Sequence, residues 1–237
     1  MGAVQQGSVG YQYSLKYARE RRQGRHPDQK DPNSLPLTLV EHADVRRMLL
    51  QQKCYVEGAQ LLGFHASMLV DRALDPDEAV RRDSHALLEL LTPVVKSWGS
   101  DYALKANELA IQILGGYGYT RDYPVAQCYR DNRINPIHEG TTGIQGIDLL
   151  GRKLLHADGR SYAALMLRIG ETVAHARQWE KLSECGAGLE AYGVVDIDGT
   201  DASRLAAAIS PTLIEPFLAP DPLPETQNSA VARYSRR

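Results

Sequence analysis

The chain has 237 residues, of which 43% are hydrophobic and 24% are charged, and its formal net charge is −2. This composition is ordinary for a globular protein, and no apolar run approaches the roughly 20 residues that a membrane span requires. The net charge gives no support for a general nucleic-acid-binding surface and leaves open only a local basic patch. The three scattered cysteines predict neither a disulfide framework nor a zinc site. The N-terminus lacks the apolar centre of a signal peptide, so the cytoplasm is the expected compartment.

Helical periodicity dominates the chain, and a strand pattern is suggested only around residues 193–197. Residues 11–22 are predicted to end a first helix, and a loop rich in Pro, Asp and Asn follows them. Apolar residues then recur every three or four positions over residues 38–73, which predicts a helix about 50 Å long. A helix of that length needs neighbours to cover its apolar face, so we expect a bundle.

The second half of the chain also has helical patterns. Further helices are predicted over residues 75–98, 100–114, 124–133, 141–156 and 162–182. Acidic residues around Pro76 are typical of a helix start, and the Gly115–Gly116 pair is typical of a helix end. The last ~20 residues hold too little apolar surface to offset chain entropy, so we expect them to be poorly ordered.

The stretch from Gln112 to Lys153 holds the residues with the clearest chemical potential. Glu139 is a carboxylate at a tight turn with Gly140, directly before a predicted helix. On residue chemistry alone, such a carboxylate is usually a helix cap or a partner of the helix dipole. The glycine cluster that starts at Gly115 is not a GxGxxG motif and follows no strand, so its plain interpretation is an interhelical turn.

Three motifs in this stretch resemble a signature near the C-terminus of acyl-CoA dehydrogenases. The signature reads Q-x-x-G-G-x-G-[YF], then Y-P-x-x-x-x-x-R-D, then [YH]-E-G-T-[ST]-x-I-Q, and here the motifs start at Gln112, Tyr123 and His138. A further segment starting at Tyr17 resembles the family's Y-x-x-E-R-x-Q-[FG]. The similarity covers residues 10–155 and is greatest to the longer enzymes of the 3-methylmercaptopropionyl-CoA dehydrogenase type.

The resemblance implies an all-α fold. Residues 1–156 would form an antiparallel four-helix bundle of the acyl-CoA dehydrogenase C-terminal type, and residues 157–237 a helical extension with a poorly ordered tail. The family also has an N-terminal helical domain and a middle β-barrel domain, which this sequence lacks. We therefore expect a fragment, a truncated product or one half of a split enzyme. Because family members usually form tetramers, a homo- or hetero-oligomer is implied.

The family's activity is FAD-dependent α,β-dehydrogenation of an acyl-CoA thioester to the trans-2-enoyl-CoA. The α-proton of a thioester is weakly acidic, so its removal needs a base held in a dry pocket. The resemblance assigns this role to Glu139, with substrate contact at Gly140. In the family, the backbone amide of the base residue and a flavin hydroxyl stabilise the enolate oxygen. The flavin takes the β-hydrogen as hydride, and an electron-transfer flavoprotein or similar acceptor receives the electrons.

The remaining family positions concern the cofactor. Thr141 would contact the flavin. Gln112 and Gly116 would approach the adenine–diphosphate part of FAD from a neighbouring subunit. Arg21 and Gln23 would approach the pyrophosphate, for which an arginine's fork of donors is suited. The plain alternative for Arg21 is a surface charge at a helix end.

Two departures and two rival functions stay open. His138 stands where tyrosine is common, and Gly143 replaces a side chain that helps to hold the flavin. A single histidine beside Glu139 does not predict a metal site. One rival is a non-catalytic assembly subunit that lends FAD contacts to a complete partner. The other is an alkylation-response type of DNA-associated flavoprotein, which the net charge of −2 disfavours.

Overall fold

A computed structural model of the protein describes residues 1–154, 159–182 and 187. Its helices, in chain order, are α1 (Gly2–Glu20), α2 (Ala43–Arg72), α3 (Glu78–Leu114), α4 (Val125–Asn132), α5 (Thr142–Asp148) and α6 (Arg160–Ala176). Within the described ranges there is no sheet, and the single β-bridge joins Arg22 and Thr38. None of the described helices combines the length and apolarity needed to cross a membrane. The predicted all-α fold is confirmed.

The first three helices run antiparallel to their sequence neighbours. Near the end of α1, the Ser14 hydroxyl donates to Gln52 Oε1 at 2.9 Å near the start of α2. Met48 near the start of α2 shares a core cluster with Ala110 near the end of α3. Leu69 at the other end of α2 belongs to a second cluster, which contains residues of the first half of α3. α2 therefore lies antiparallel to both α1 and α3.

α5 and the π-helical turn Leu149–Lys153 supply the fourth antiparallel element of the bundle. Thr142 at the start of α5 bonds to Asp101, whereas Lys153 at the end of the turn pairs with Glu89, twelve residues before Asp101 on α3. Of the predicted helix over residues 141–156, the described part is present as α5 and a π-helical turn that is wider than an α-helix, and residues 155 and 156 lie outside the described residues. The i→i+5 bond of the turn runs from the Leu154 amide to the Leu149 carbonyl over 2.8 Å.

One prediction about helix boundaries is wrong. Residues 75–98 and 100–114 do not form two helices but belong to the single 37-residue helix α3. Gly99, at the expected break, is buried, and a Cβ there would lie 3.4 Å from Val4 Cγ2. The glycine therefore lies inside the helix where α3 packs against α1, and a Cβ there would make an ordinary van der Waals contact. On α1, Gly7 lies closer to α3, because a Cβ there would lie 3.0 Å from Ala103 Cβ.

Helix caps explain where α2 and α3 begin. The predicted acidic start of α3 is confirmed, because Asp77 Oδ1 accepts from the Ala79 amide at 2.8 Å. The helix predicted from residue 38 instead begins at Ala43. Before it, a 3₁₀ turn over Leu39–Glu41 is closed by the Thr38 amide, which donates to Glu41 Oε2 at 2.7 Å.

α6 packs against the same core as α3. Leu165, Ile169 and Val173 share a buried cluster with Leu90 and Leu91 of α3. The predicted helix over residues 162–182 is thus present as α6 followed by a short 3₁₀ turn, Glu180–Leu182. The strand pattern at residues 193–197 and the predicted poorly ordered tail lie outside the described residues. The division of the chain at residues 156 and 157 stays a prediction.

Candidate functional site

Glu139 lies in the connection between α4 and α5 and has an unusual backbone. Its φ of 56° makes it the one non-glycine residue with positive φ in the described part of the chain, and Gly140 follows with φ 90°. A left-handed conformation costs a non-glycine residue about 1–3 kcal/mol, so the surrounding structure must hold it. The positive φ favours glycine at position 140, and a Cβ there would lie 2.8 Å from Gln145 Nε2 and would displace that amide.

α3 holds this turn from one side. The Lys96 ammonium donates to two main-chain carbonyls, those of Asn135 at 3.1 Å and Gly140 at 2.5 Å. From the other side, Gln145 Nε2 donates to the Glu139 carbonyl at 3.0 Å. Hydrogen bonds therefore fix the backbone before, at and after Glu139.

A chain of amides connects the turn to the centre of the bundle. Asn107 Nδ2 on α3 donates to the Gln6 carbonyl of α1 at 2.8 Å. Asn132 Nδ2 donates to Asn107 Oδ1 at 2.7 Å, and Asn135 Nδ2 donates to Asn132 Oδ1 at 2.8 Å. His138 Nε2 lies 3.1 Å from Asn135 Oδ1. The turn is thus linked through side chains to buried polar groups between α1 and α3.

The Glu139 carboxylate itself faces water. Its side chain is 82% exposed, and His138 Nδ1 lies 3.7 Å from Glu139 Oε2. The interpretation of Glu139 as a helix cap is wrong, because Thr141 is the N-cap residue of α5 and no side chain caps that helix. The described residues do not form the dry pocket that a proton-abstracting base needs. They contain no group of three His, Cys, Asp or Glu side chains placed for a metal ion.

The other predicted site residues lie at the opposite end of α3. The Arg21 guanidinium lies over the Tyr117 ring, 5.7 Å from its centroid, and Gly116 is the neighbour of Tyr117. The Tyr117 ring also packs edge-on to Tyr123 at 5.9 Å, which fixes the ring beneath Arg21. The structure therefore places Arg21 against Tyr117, the residue that directly follows Gly116.

These residues are suited to a phosphate-bearing group such as the diphosphate of FAD. Arg21, Gln23 and Gln112 are all exposed and offer guanidinium and carboxamide donors. Gly116 is also exposed, and no atom lies within 4 Å of the place its Cβ would take, so a ligand could approach its backbone. The backbone of Gln23 is fixed, because its amide donates to the Leu37 carbonyl at 2.9 Å.

The two groups of residues are far apart on this chain. Lys96, which holds the Glu139 turn, and Gln112 are separated by 16 positions of one helix. At 1.5 Å per residue, that separation is about 24 Å. The structure thus brings Glu139, Gly140 and Thr141 together at one place, and Arg21 and Tyr117, the neighbour of Gly116, at another.

A cavity of about 520 Å³ lies between α3 and α5. Trp98 and Tyr102, which stack with ring centroids 3.9 Å apart, line it together with Thr142 and Gln145. Glu139 is not among its lining residues. The cavity is therefore next to the turn but does not receive its carboxylate.

Sequence reasoning found Glu139 and missed the residues that hold its turn. Lys96 and Asn107 precede the first of the three motifs, and Asn135 lies between the second motif and the third. Asn132 had a signal that could have been used, because it directly follows the Arg–Asp pair of the second motif. A single lysine within a long amphipathic helix offers no comparable signal.

Comparison with known proteins identifies the family. The family described as "Acyl-CoA dehydrogenase, C-terminal domain" matches residues 9–155. The 3-methylmercaptopropionyl-CoA dehydrogenase of Ruegeria pomeroyi is 42% identical over 64% of this chain and 25% of that protein. The broad-specificity linear acyl-CoA dehydrogenase FadE5 of Mycobacterium tuberculosis is 36% identical over 70% of this chain and 28% of that protein.

A solved structure agrees with the fold. Caenorhabditis elegans ACDH-11 in complex with C11-CoA is 19% identical, with a TM-score of 0.67 over 98% of this chain and 42% of that one. The chain spans 25–28% of the length of the two curated relatives. The family match over residues 9–155 agrees with the region of 10–155 that the motifs indicated. The chain therefore belongs to the acyl-CoA dehydrogenase family and contains the family's C-terminal domain.

Proposed function

We propose that this chain carries the catalytic base of an FAD-dependent acyl-CoA dehydrogenase that forms a trans-2-enoyl-CoA. The observation that supports the proposal is the backbone conformation of Glu139, whose φ is 56°. Its left-handed conformation is held by hydrogen bonds to the carbonyls of Glu139 and Gly140, while its carboxylate does not cap α5. Strained backbone conformations cluster at functional sites, and the contact of the Glu139 carboxylate with His138 Nδ1, at 3.7 Å, is exposed to solvent.

In the proposed reaction, a Glu139 carboxylate oxygen takes the α-proton of the thioester. The Cα–H bond breaks, and its electron pair moves toward the thioester carbonyl. The Glu139 amide would donate to that oxygen, and Gly140 would lie against the substrate, where its lack of a side chain leaves room. FAD, when bound, accepts the β-hydrogen as hydride. Residues 1–154 would position the proton acceptor, and other parts of the enzyme would exclude water from it.

The residues proposed to hold FAD belong to two places. Thr141 would contact the flavin beside Glu139, whereas Arg21, Gln23, Gln112 and Gly116 would hold the adenine–diphosphate part. The separation of about 24 Å along α3 supports a model in which the two groups of residues contact different FAD molecules, one in each of two subunits. A homo- or hetero-oligomer follows from this proposal.

The proposed partners follow from the family. The substrate is an acyl-CoA, and the electron acceptor is an electron-transfer flavoprotein or a similar protein. Because Glu139 is 82% exposed in this chain, activity requires a pocket completed by further protein.

The test is flavin content and dye-linked acyl-CoA oxidation, measured on the chain alone and with any co-purifying partner. Glu139→Gln should keep the flavin and lower kcat by about 10²–10⁴-fold, because the amide cannot accept the proton. Glu171→Gln on α6 is the matched control, since Glu171 is also exposed. A colourless, inactive chain under every condition, or full activity in Glu139→Gln, would reject the proposal.

A further inference from the structure

Lys96 makes an unusual set of contacts for a helix-surface lysine. It is half-buried in α3, and its ammonium donates to the carbonyls of Asn135 and Gly140, 39 and 44 positions away. Within residues 1–154 and 159–182 it forms no salt bridge. The charge is thus directed at main-chain oxygens of one turn rather than at a carboxylate.

The two accepting carbonyls bracket the strained residue. Asn135 precedes Glu139 by four positions, and Gly140 follows it directly. Upstream, the His138 amide still bonds to the Ile134 carbonyl, and downstream the Gln145 amide bonds to the Thr141 carbonyl. Between these local bonds the chain passes through Glu139, and the ammonium joins the segments before and after it through charge-assisted hydrogen bonds.

We propose that Lys96 is a positioning residue for the reaction, which holds the Glu139 turn in its left-handed conformation. This inference rests on the proposed role of Glu139 as the base. Lys96 does not touch the substrate. Its ammonium holds the Asn135 and Gly140 carbonyls on one side of the turn, so that the Glu139 side chain extends from a backbone of fixed position. Misplacement of a reacting group by about 1 Å can lower a rate by about 10²-fold.

The first experiment measures the turn itself, without any need for activity. Hydrogen–deuterium exchange is followed in peptides covering residues 134–142 and in α3, for the wild-type chain, Lys96→Met and Lys16→Met. Lys16 is an exposed lysine on α1 and serves as the control. In Lys96→Met, exchange in residues 134–142 should rise at least about tenfold while exchange in α3 is unchanged. Unchanged exchange in the turn, or equal acceleration in α3, would overturn the proposal.

The second experiment uses the flavin-containing, active preparation. Lys96→Met should lower kcat about 10–100-fold with KM for the acyl-CoA and flavin content within about twofold of wild type. Lys96→Arg keeps the charge and donors and should recover most of the lost kcat. Equal losses in both variants, or a change in KM alone, would overturn the positioning role.

The variant Glu139→Gln distinguishes an error in the base role of Glu139 from an error in the positioning role of Lys96. If Glu139→Gln is inactive while Lys96→Met keeps full kcat, the base assignment stands and the role of Lys96 is wrong. If Glu139→Gln is active, the base assignment itself is wrong, whatever Lys96→Met does.

Discussion

Asn107 and Asn132 join two helices of the bundle by one buried side-chain hydrogen bond, 2.7 Å from Asn132 Nδ2 to Asn107 Oδ1. Both side chains are completely buried. Asn132 Nδ2 also donates to the Ala3 carbonyl at 3.1 Å. The pair therefore connects α1, α3 and α4 at one level of an otherwise apolar core.

We expect Asn132→Ala to lower the free energy of unfolding by about 2–3 kcal/mol, because it leaves Asn107 Oδ1 without its donor and Asn135 Nδ2 without its acceptor. Urea denaturation measures the loss. Asn33→Ala in the exposed loop before α2 is the control and should change stability by less than about 0.5 kcal/mol. A double-mutant cycle with Asn107→Ala should give a coupling energy of about 0.5–3 kcal/mol. Additive losses would contradict the contact.

Replacing a glycine by alanine should change stability in opposite directions at Gly7, where α1 packs against α3, and at Gly170 on α6. Gly7→Ala should destabilise the bundle by about 1–3 kcal/mol, because the new Cβ would lie only 3.0 Å from Ala103 Cβ. Gly170→Ala on α6 should stabilise it by roughly 0.5–1 kcal/mol, because no atom lies within 4 Å of its Cβ position. Thermal unfolding of the two variants side by side makes the comparison. Stabilisation by Gly7→Ala would show that the helices are less tightly packed.

Strain at Glu139 predicts a conflict between stability and activity. Glu139→Asn should unfold at a higher denaturant concentration than wild type, with a gain of about 0.5–1 kcal/mol, because asparagine tolerates positive φ better. The same variant should lose catalysis in the active preparation, since the shortened amide cannot accept a proton. Glu171→Asn in the interior of α6 is the control and should be slightly destabilising. A destabilised Glu139→Asn would argue against stored strain.

The contact between Lys153 and Glu89 predicts a pH dependence. The hydrogen bond from Lys153 lowers the pKa of the Glu89 carboxyl below its ordinary value of 4.5. A lowered pKa in the folded state stabilises the protein above about pH 4.5, and this contribution is lost as the pH falls through the folded pKa. Glu89→Gln should therefore be less stable than wild type near pH 6, and the difference should shrink toward about pH 2. Because Glu89 is 48% exposed, the difference should stay below about 1 kcal/mol.

Flavin retention tests the proposed diphosphate site. Arg21→Met should lower the FAD content of the active preparation, or raise the Kd for FAD about tenfold, through loss of charge-assisted donors. Arg19→Met, two positions earlier and also exposed, is the control and should leave FAD content unchanged. Equal FAD binding in both variants would remove Arg21 from the cofactor site.

The motif-bearing part of the chain was predictable because its chemistry is local in sequence. Glu139, Gly140 and Thr141 are adjacent residues, and the caps and glycine stops that bound α3 act over a few positions. The predicted break between residues 98 and 100 was wrong, because a glycine inside a packed helix has the same letter as one that ends a helix. The contacts of Lys96 could not be predicted, since its two acceptors are 39 and 44 positions away and are main-chain atoms that carry no sequence signature.

The π-helical turn was equally inaccessible. Leu149 points into the core and Lys153 reaches Glu89, and a wider turn lets both side chains keep these contacts. Periodicity alone predicts a continuous helix there, because the five residues of the turn, Leu149–Lys153, are too few to reveal a shift in the apolar pattern.

One uninterrupted helix carries both Lys96 and Gln112, so the length of α3 between them sets the distance between the two groups of site residues. A single residue inserted between them would lengthen the interval by about 1.5 Å and rotate everything beyond it by about 100°. Gln112 would then turn toward a different neighbour while the Glu139 turn kept its place. Substitutions along this interval change local packing, but a change in its length would alter the relation between the two ends at once.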